Sequence, residues 1–343
     1  MDERFATLIN EINMIPGEIY AEYDLTTTDA LNLINYSDYF KFTNSQVPED
    51  DDDIMLHLLK ENIVTRQGNG LIAVTDEGAL AFAKSLARFR RQSKKGIRVI
   101  QYEGGDRAVT RSDNTFNSGY ACGFEKLNNH IVSLLPTKGV TEGSVEMRIP
   151  ILPPPAIREL IANTMVHQDL SLNKTGPLVE VFDDRIEFTN PGKSLIDPKH
   201  FVDSPPLSRN EDLVALMQKV QICKDSGSGW DTIALYCEKF CIPAPKIDLS
   251  EDSTKITLFS YIPFNEMSLE DKLRTCYEHA CLKQVNGQQV TNASLRKRFL
   301  MLRGGHASIY RLITTALEHE LIKPFNPDAA SWQRCYIPYW ADL

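Results

Sequence analysis

Three consecutive prolines at 153–155 constrain this chain of 343 residues more than any other feature. They stop any preceding helix or strand, whereas proline is favoured in the first turn of a new helix. Apolar residues follow at helical spacing: Ile157, Leu160, Ile161 and Met165. The pattern predicts a helix that begins at the prolines and runs to His167.

Polar residues lie on the other side of this predicted helix. Glu159, Asn163 and His167 are spaced four apart, so each lies about 40° further round than the last, at roughly 3.6 residues per turn. They therefore form one polar stripe that carries a carboxylate, an amide and an imidazole. Such spacing alone is equally typical of an ordinary solvated helix face.

Several shorter signals follow this helix in the sequence. Residues 178–188 read as two strands joined at Asp183-Asp184, and Asn190-Pro191-Gly192 is a turn sequence. Further on, residues 225–229 read Asp-Ser-Gly-Ser-Gly and lead into a helix that starts near Trp230. Each signal alone is a common turn.

The ordered set resembles the Bergerat-fold (GHKL) nucleotide-binding superfamily, and more closely a bacterial and archaeal family of RecG-like ATP-binding transcriptional regulators. The motifs that carry the resemblance are Arg158-Glu159, Asn163, His167, Asp184–Glu187, Asn190–Lys193, Arg209-Asn210 and Gly227–Gly229. Members of that family often carry an upstream Schlafen-type AlbA DNA-binding domain, and we expect that domain to be absent here. The resemblance implies ATP and Mg²⁺ as cofactors.

The resemblance also implies roles for individual residues. Asn163 is the expected Mg²⁺ ligand, because its side-chain carbonyl suits a metal that bridges phosphates and keeps several waters. Glu159 is the expected general base that activates the attacking water. The full set of expected nucleotide-binding residues is Asn163, His167, Asn190, Gly192, Lys193, Arg209, Gly227, Ser228 and Gly229.

One position departs from the superfamily pattern. Asn190 stands where the superfamily has the aspartate that reads adenine. An amide still accepts a hydrogen bond, but it also brings donors and carries no charge. In the same motif, Gly192 would let the backbone approach a flat base closely. The resemblance implies that residues 193–209 form a lid over the phosphates, and long irregular loops of this kind are commonly functional.

Composition narrows the class of protein. Hydrophobic residues make up 42% and charged residues 24% of the chain, as in an ordinary globular protein. No apolar run approaches the roughly 20 residues needed to span a bilayer, and the first residues are unlike a signal peptide. The seven cysteines are odd in number and scattered, which favours reduced thiols and a cytoplasmic location.

Two regions are candidates for nucleic-acid contact. Residues 84–98 hold seven basic residues and no acidic one in a chain of net charge −9, which indicates a phosphate-contacting patch or a solvated linker. Residues 263–343 have the order of a winged helix-turn-helix, which binds DNA or docks proteins. The candidate DNA-binding residues there are Arg296, Lys297, Arg298, Arg303 and Arg311.

We therefore predict an α+β protein with four regions. Residues 1–90 form a helical, winged-helix-like region, 91–148 a connecting strand and helix, 149–262 the Bergerat-type α/β sandwich, and 263–343 the winged helix-turn-helix. The leading hypothesis is a regulator whose bound ATP controls DNA engagement, with a nucleotide-dependent homodimer as a further expectation. The alternatives are a Mg²⁺-dependent ATPase and a scaffold with a silent nucleotide site. The sequence lacks the Gly-x-x-x-x-Gly-Lys-[Ser/Thr] loop, which argues against a helicase motor.

Overall fold

The computed structural model describes residues 20–142, 145–172, 175–202, 207–223, 229–301, 303–330 and 333–342, without the side chains of 140–148. The strands are β1 (Tyr20–Leu25), β2 (Val64–Arg66), β3 (Ile72–Thr75), β4 (Ile97–Tyr102), β5 (Thr110–Phe116), β6 (Thr137–Glu142), β7 (Val145–Pro150), β8 (Leu178–Val181), β9 (Arg185–Pro191), β10 (Lys246–Leu249), β11 (Ser253–Phe259), β12 (Ile322–Pro324) and β13 (Tyr336–Pro338). The α-helices are α1 (Thr27–Leu33), α2 (Tyr36–Phe42), α3 (Asp51–Lys60), α4 (Asp76–Phe82), α5 (Tyr120–Leu134), α6 (Pro154–Val166), α7 (Glu211–Lys219), α8 (Gly229–Lys239), α9 (Leu269–Val285), α10 (Asn292–Arg298) and α11 (His306–Glu318).

The first described unit is a small sheet with four helices. Its strands lie in the order β1-β3-β2, and both pairings are antiparallel. Side-chain caps set the helix starts, because Thr26, Asp50 and Thr75 accept backbone N–H bonds at the starts of α1, α3 and α4. The predicted order of helix, hairpin and helix is present in α3 to α4, and the winged-helix interpretation stays a prediction.

The basic segment at 84–98 is packed against the rest of the protein. Leu86, Phe89 and Lys95 are at most 1% exposed, and the Arg88 guanidinium donates to the carbonyl of Asn32. The linker interpretation was therefore wrong, because apolar residues among the basic ones hold the segment against the core. Five of its seven basic residues remain exposed: Lys84, Arg88, Arg90, Lys94 and Arg98.

A six-stranded mixed sheet forms the centre of the molecule. Its order is β10-β11-β9-β8-β4-β5, and β4–β8 is the parallel pair within it. Side chains of one face enter the main core, among them Val99, Val179, Ile186 and Leu258. Helices α5, α6 and α8 supply the apolar residues that cover this face. The result is a mixed α and β architecture with a large sheet, which agrees with an ATPase-like α/β domain.

Helix α6 forms where the prolines predict it. Pro154 and Pro155 occupy its first turn, where their missing N–H groups would have no partner in any case. Its apolar side, including Ile157, Leu160 and Ile161, is at most 1% exposed. The helix ends at His167, whose N–H donates to the Asn163 carbonyl. Burying one side of α6 fixes the direction in which its polar stripe faces.

The C-terminal unit has a core of its own. Residues of α9, α10 and α11 with Ile322 and Tyr336 form this second cluster, which is separate from the main core. Ser268 caps α9, Thr291 forms a capping box on α10, and Gly305 at φ +78° precedes α11. The three helices and the β12–β13 pair occur in the predicted order, and the assignment of a winged helix stays a prediction.

Candidate functional site

A cavity of about 470 Å³ lies between α6, β9, β11 and the start of α8. Pockets of roughly 300–1,000 Å³ are typical of small-molecule sites. The polar stripe of α6 faces this cavity, because Glu159, Asn163 and His167 all line it. The structure thus brings the three residues to a concave space between elements and not to a flat helix face.

Glu159 lies against the first residue of α8. A Cβ added to Gly229 would stand 2.7 Å from the Glu159 Oε1 atom, so the absence of a side chain there makes room for the carboxylate. The N-terminus of a helix favours a nearby negative charge. The Glu159 carboxylate therefore lies at the edge of the cavity, beside the start of α8.

His167 lines the cavity and is exposed, yet protein surrounds its ring closely. This desolvation and, second, the positive charge of Arg209 lower its pKa from the usual 6.5, which favours the neutral ring at pH 7. A neutral imidazole both donates and accepts a hydrogen bond. His167 is therefore suited to a polar contact with a ligand and not to an ion pair.

Asn190 lines the cavity and holds a buried acceptor without a partner among the described residues. Its Nδ2 donates to the Asn163 carbonyl at 3.4 Å, which orients the amide because a carbonyl can only accept. The Oδ1 atom is buried and has no hydrogen-bond partner among the described residues. An unpartnered buried acceptor costs free energy, and an N–H donor from a ligand would relieve that cost once the side chains around the oxygen shift.

Gly192 occupies a position that only glycine fits. Its φ is +97°, and a Cβ would stand 2.5 Å from the Asp169 Cβ and 3.2 Å from the Arg209 Nη1. The Thr254 hydroxyl donates to its carbonyl at 2.9 Å. This turn is therefore held tightly between the end of β9, the loop after α6 and β11.

Residues 193–202 and 207–210, which we call the lid segment, form one side of the cavity. Arg209 joins both ends of the lid segment to the end of α6, because its guanidinium donates to the Lys193 carbonyl at 2.9 Å and to the His167 carbonyl at 3.4 Å. Asn210 donates to the carbonyls of Val166 and Gln168. The two residues of the predicted Arg-Asn pair thus join the lid segment to the end of α6.

Two predicted site residues cannot be placed. Gly227 and Ser228 lie outside the described residues, as does Lys224. Lys193 is described and is exposed, and it is its backbone carbonyl that contacts Arg209.

Sequence reasoning missed several residues of the cavity. Thr254 and Ile256 reach it from β11, and Phe188 reaches it from β9. Phe201 and Trp230 pack edge-to-face with ring centroids 4.7 Å apart, and both line the same space. Strand alternation in residues 254–258 was visible in the sequence, but its pairing partner was not. The aromatic pair had no sequence signal, since its members are 29 positions apart in the chain.

We find no group of three or more His, Cys, Asp or Glu side chains arranged to hold a metal ion in the part of the chain that the structure describes. A Mg²⁺ ion that bridges phosphates needs only one or two protein ligands, and the carboxamide of Asn163 is a suitable one.

Residues 175–258 match the family model described as Putative ATP-dependent DNA helicase recG C-terminal. The match spans about a quarter of the chain and includes Asn190, Gly192 and Thr254. It supports a RecG-like ATPase domain. No curated protein matches the chain.

A solved structure shows the same fold. The DIP2311 protein from Corynebacterium diphtheriae superposes with a TM-score of 0.54 at 15% sequence identity. The similarity covers 93% of this chain and 63% of that chain, so this sequence spans less than two thirds of the length of that protein.

The predicted DNA-binding residues are not all exposed. Arg298 is 4% exposed and donates to the Ile242 carbonyl at 2.7 Å, so its guanidinium is not available to DNA. Its assignment was wrong because charge bias in a sequence does not show which side of a short helix is buried. Lys297, Arg303 and Arg311 are exposed, and Arg296 is half-buried.

Among the described helices, none has the length and apolar character to cross a bilayer.

Proposed function

We propose that this protein binds ATP in the cavity beside the lid segment and that bound nucleotide controls how the C-terminal unit engages DNA. ATP binding is supported by one observation: the polar stripe of α6 and the Asn190–Gly192 turn of β9 line or border the same cavity of about 470 Å³. The match to the RecG-like ATPase family supports the same ligand.

The residues present fit an adenine nucleotide with Mg²⁺. In this proposal the Oδ1 of Asn190, which has no partner among the described residues, accepts from an exocyclic amine after the side chains around it shift. Asn163 would hold the metal, which supplies positive charge to the phosphates. Phe188, Ile256 and Trp230 provide apolar surface against which a base is removed from water.

An ATP titration tests the binding site directly. Asn163→Ala should weaken ATP binding in the presence of Mg²⁺ by tenfold or more, since a charge-assisted contact is worth about 1.5–3 kcal/mol. Asn114→Ala is the matched control, because Asn114 is exposed on the edge strand β5. Equal affinity in the two variants would reject the site.

The control of DNA engagement rests on the exposed basic residues of the C-terminal unit, Lys297, Arg303 and Arg311. Replacing all three by glutamine should weaken DNA binding and flatten its dependence on salt, since each phosphate contact contributes about 0.9 to the slope of log K against log salt. The regulatory half of the proposal requires that ATP change this affinity. A DNA affinity that is the same with and without ATP would reject regulation and leave nucleotide binding untouched.

A Mg²⁺-dependent ATPase is the second candidate, because Glu159 lines the cavity one helical turn from Asn163. In that case Glu159→Gln should keep ATP affinity and remove turnover. Turnover at the wild-type rate in this variant would show that Glu159 is not the base. If no nucleotide raises Tm, the scaffold hypothesis is the better one, since a ligand at 100 times Kd stabilises by about 2.7 kcal/mol.

A further inference from the structure

The C-terminal unit contacts the lid segment directly. The Tyr277 hydroxyl, on α9, donates to the Lys199 carbonyl at 2.6 Å. The same hydroxyl accepts from Trp340 Nε1 at 3.1 Å. The Trp340 ring also lies 6.4 Å from the His200 ring, centroid to centroid. Two aromatic residues of the C-terminal unit thus hold the short 3₁₀ turn at Pro198–His200 of the lid segment.

The C-terminal unit is itself fixed to the nucleotide domain, so it can act as a support for this turn. Arg298 donates to the Ile242 carbonyl at 2.7 Å, and Arg274 donates to the Ala244 carbonyl at 3.0 Å. The Ala244 N–H donates to the Thr275 hydroxyl at 3.0 Å. All three hydrogen bonds join the C-terminal unit to the loop that follows α8, and they are at least half-buried.

Helix α8 adds a second connection to the same unit. At its C-terminal end, Glu238 lies 2.8 Å from His279 Nδ1, and His279 Nε2 is 3.1 Å from the Ser294 hydroxyl. At its other end, Gly229 borders the Glu159 carboxylate. The C-terminal unit therefore contacts both elements that border the cavity on this side, the lid segment and α8.

The held turn is next to the cavity. Phe201 directly follows Pro198–His200, lines the cavity and packs against Trp230 of α8. A shift of the turn at Lys199 would move Phe201 and change the space for a ligand. The lid segment is therefore in contact both with the nucleotide domain and with a unit that has a separate hydrophobic core.

We propose that Tyr277 is a positioning residue of the nucleotide site: it holds the lid segment in the conformation that lines the cavity and so links ligand binding to the C-terminal unit. This inference rests on the proposed nucleotide binding. A preformed lid lowers the ordering cost of binding, so Tyr277 strengthens affinity without touching the ligand. By linkage, the ligand must stabilise the Tyr277 contact by the same factor.

Tyr277→Phe tests the inference, because it removes the hydroxyl and keeps the ring. ATP affinity should fall about two- to tenfold, the range of one neutral hydrogen bond. Amide exchange across 193–202 should be faster in the free variant than in the free wild type. Tyr261→Phe is the control, since Tyr261 is 46% exposed and no described residue hydrogen-bonds to its hydroxyl. Trp340→Phe, which removes the donor to Tyr277, should weaken ATP binding in the same direction.

The reciprocal measurement separates positioning from a general loss of stability. ATP should slow amide exchange across α9 in the wild type and in Tyr261→Phe, and should do so less in Tyr277→Phe. Unchanged ATP affinity and unchanged lid exchange in Tyr277→Phe would overturn the inference while leaving nucleotide binding intact. If the wild type binds no ATP, the proposed function fails, and lid exchange in the free proteins still decides whether Tyr277 holds the lid.

Discussion

Replacing Gly192 by alanine should destabilise the protein more than any other single methyl addition around the cavity. The Cβ would stand 2.5 Å from the Asp169 Cβ, closer than two carbons can approach. Neither side can give way easily. The Asp169 N–H donates to the Pro191 carbonyl at 2.8 Å, and the Gly192 N–H donates to the Asp252 carbonyl at 2.7 Å, so both backbone segments are held in place.

The loss of stability expected in Gly192→Ala has two parts. Alanine at φ +97° carries the cost of a left-handed conformation, about 1–2 kcal/mol. Forcing a methyl group into a filled space adds about 1–3 kcal/mol. Gly104→Ala isolates the first part, because Gly104 has φ +78° and nothing lies within 4 Å of its would-be Cβ. We therefore expect Gly192→Ala to be less stable than Gly104→Ala by about 1–3 kcal/mol.

Urea unfolding of the wild type and both variants gives the comparison, provided that the slope of the free energy against urea is unchanged. ATP titration adds a second readout, since the shift at Gly192 also displaces Arg209, whose Nη1 lies 3.2 Å from the new methyl. ATP affinity should fall in Gly192→Ala and stay at the wild-type value in Gly104→Ala. Equal stability of the two variants would refute the claim that this turn is packed without room for a side chain.

Three further predictions follow from single side chains. Gly229→Ala should push the Glu159 carboxylate aside and, if the protein hydrolyses ATP, lower turnover by about tenfold to hundredfold with little change in affinity. Arg107→Met should lower the free energy of unfolding in urea by about 2–3 kcal/mol, because it removes the partner that Glu187 shares with its cross-strand neighbour Glu180. The loss is smaller than the about 3–5 kcal/mol of a fully buried pair, since half of the guanidinium is exposed. Glu278→Gln should raise Tm at pH 8 and raise it much less at pH 5. Burial raises the pKa of Glu278 to about 7, so the wild type loses stability as the pH rises from about 4.5 through 7, and the amide does not.

Each of these variants has a matched control. Gly68→Ala adds a methyl group with nothing within 4 Å, Arg111→Met removes an exposed guanidinium, and Glu266→Gln neutralises an exposed carboxylate. Turnover in Gly229→Ala equal to that in Gly68→Ala would contradict the placement of the carboxylate. Arg111→Met as destabilising as Arg107→Met would show that burial of the glutamates is unimportant. A parallel pH dependence of Tm in Glu278→Gln and wild type would assign that dependence to other groups.

The local parts of the site could be predicted from the sequence. The triple proline sets the start of α6, and its helical period places Glu159, Asn163 and His167 on one side. The hairpin of β8 and β9 follows from two apolar runs around Asp183-Asp184. These features depend on residues within a few positions of each other, where backbone geometry alone decides which side chains share a face.

Contacts between distant elements could not be predicted in the same way. Thr254 enters the site because β11 pairs with β9 in a register that places it beside Asn190. Nothing in either strand specifies that register, since a shift of two residues would keep the same faces. The prediction that Arg298 binds DNA was wrong for a related reason, because its burial depends on the loop that follows α8, more than 50 residues earlier in the chain.

Asn190 shows how a distant contact changes the meaning of a residue. In the sequence, asparagine in place of aspartate weakens the case for adenine, because an amide offers donors as well as an acceptor. In the structure, the donor is directed to the Asn163 carbonyl and the oxygen is left without a partner among the described residues. The group left for a ligand is then an acceptor, as an aspartate would be. If the proposed site binds a base here, we expect a base with an amine at that position to bind more tightly than one with a carbonyl, which would place two acceptors against each other.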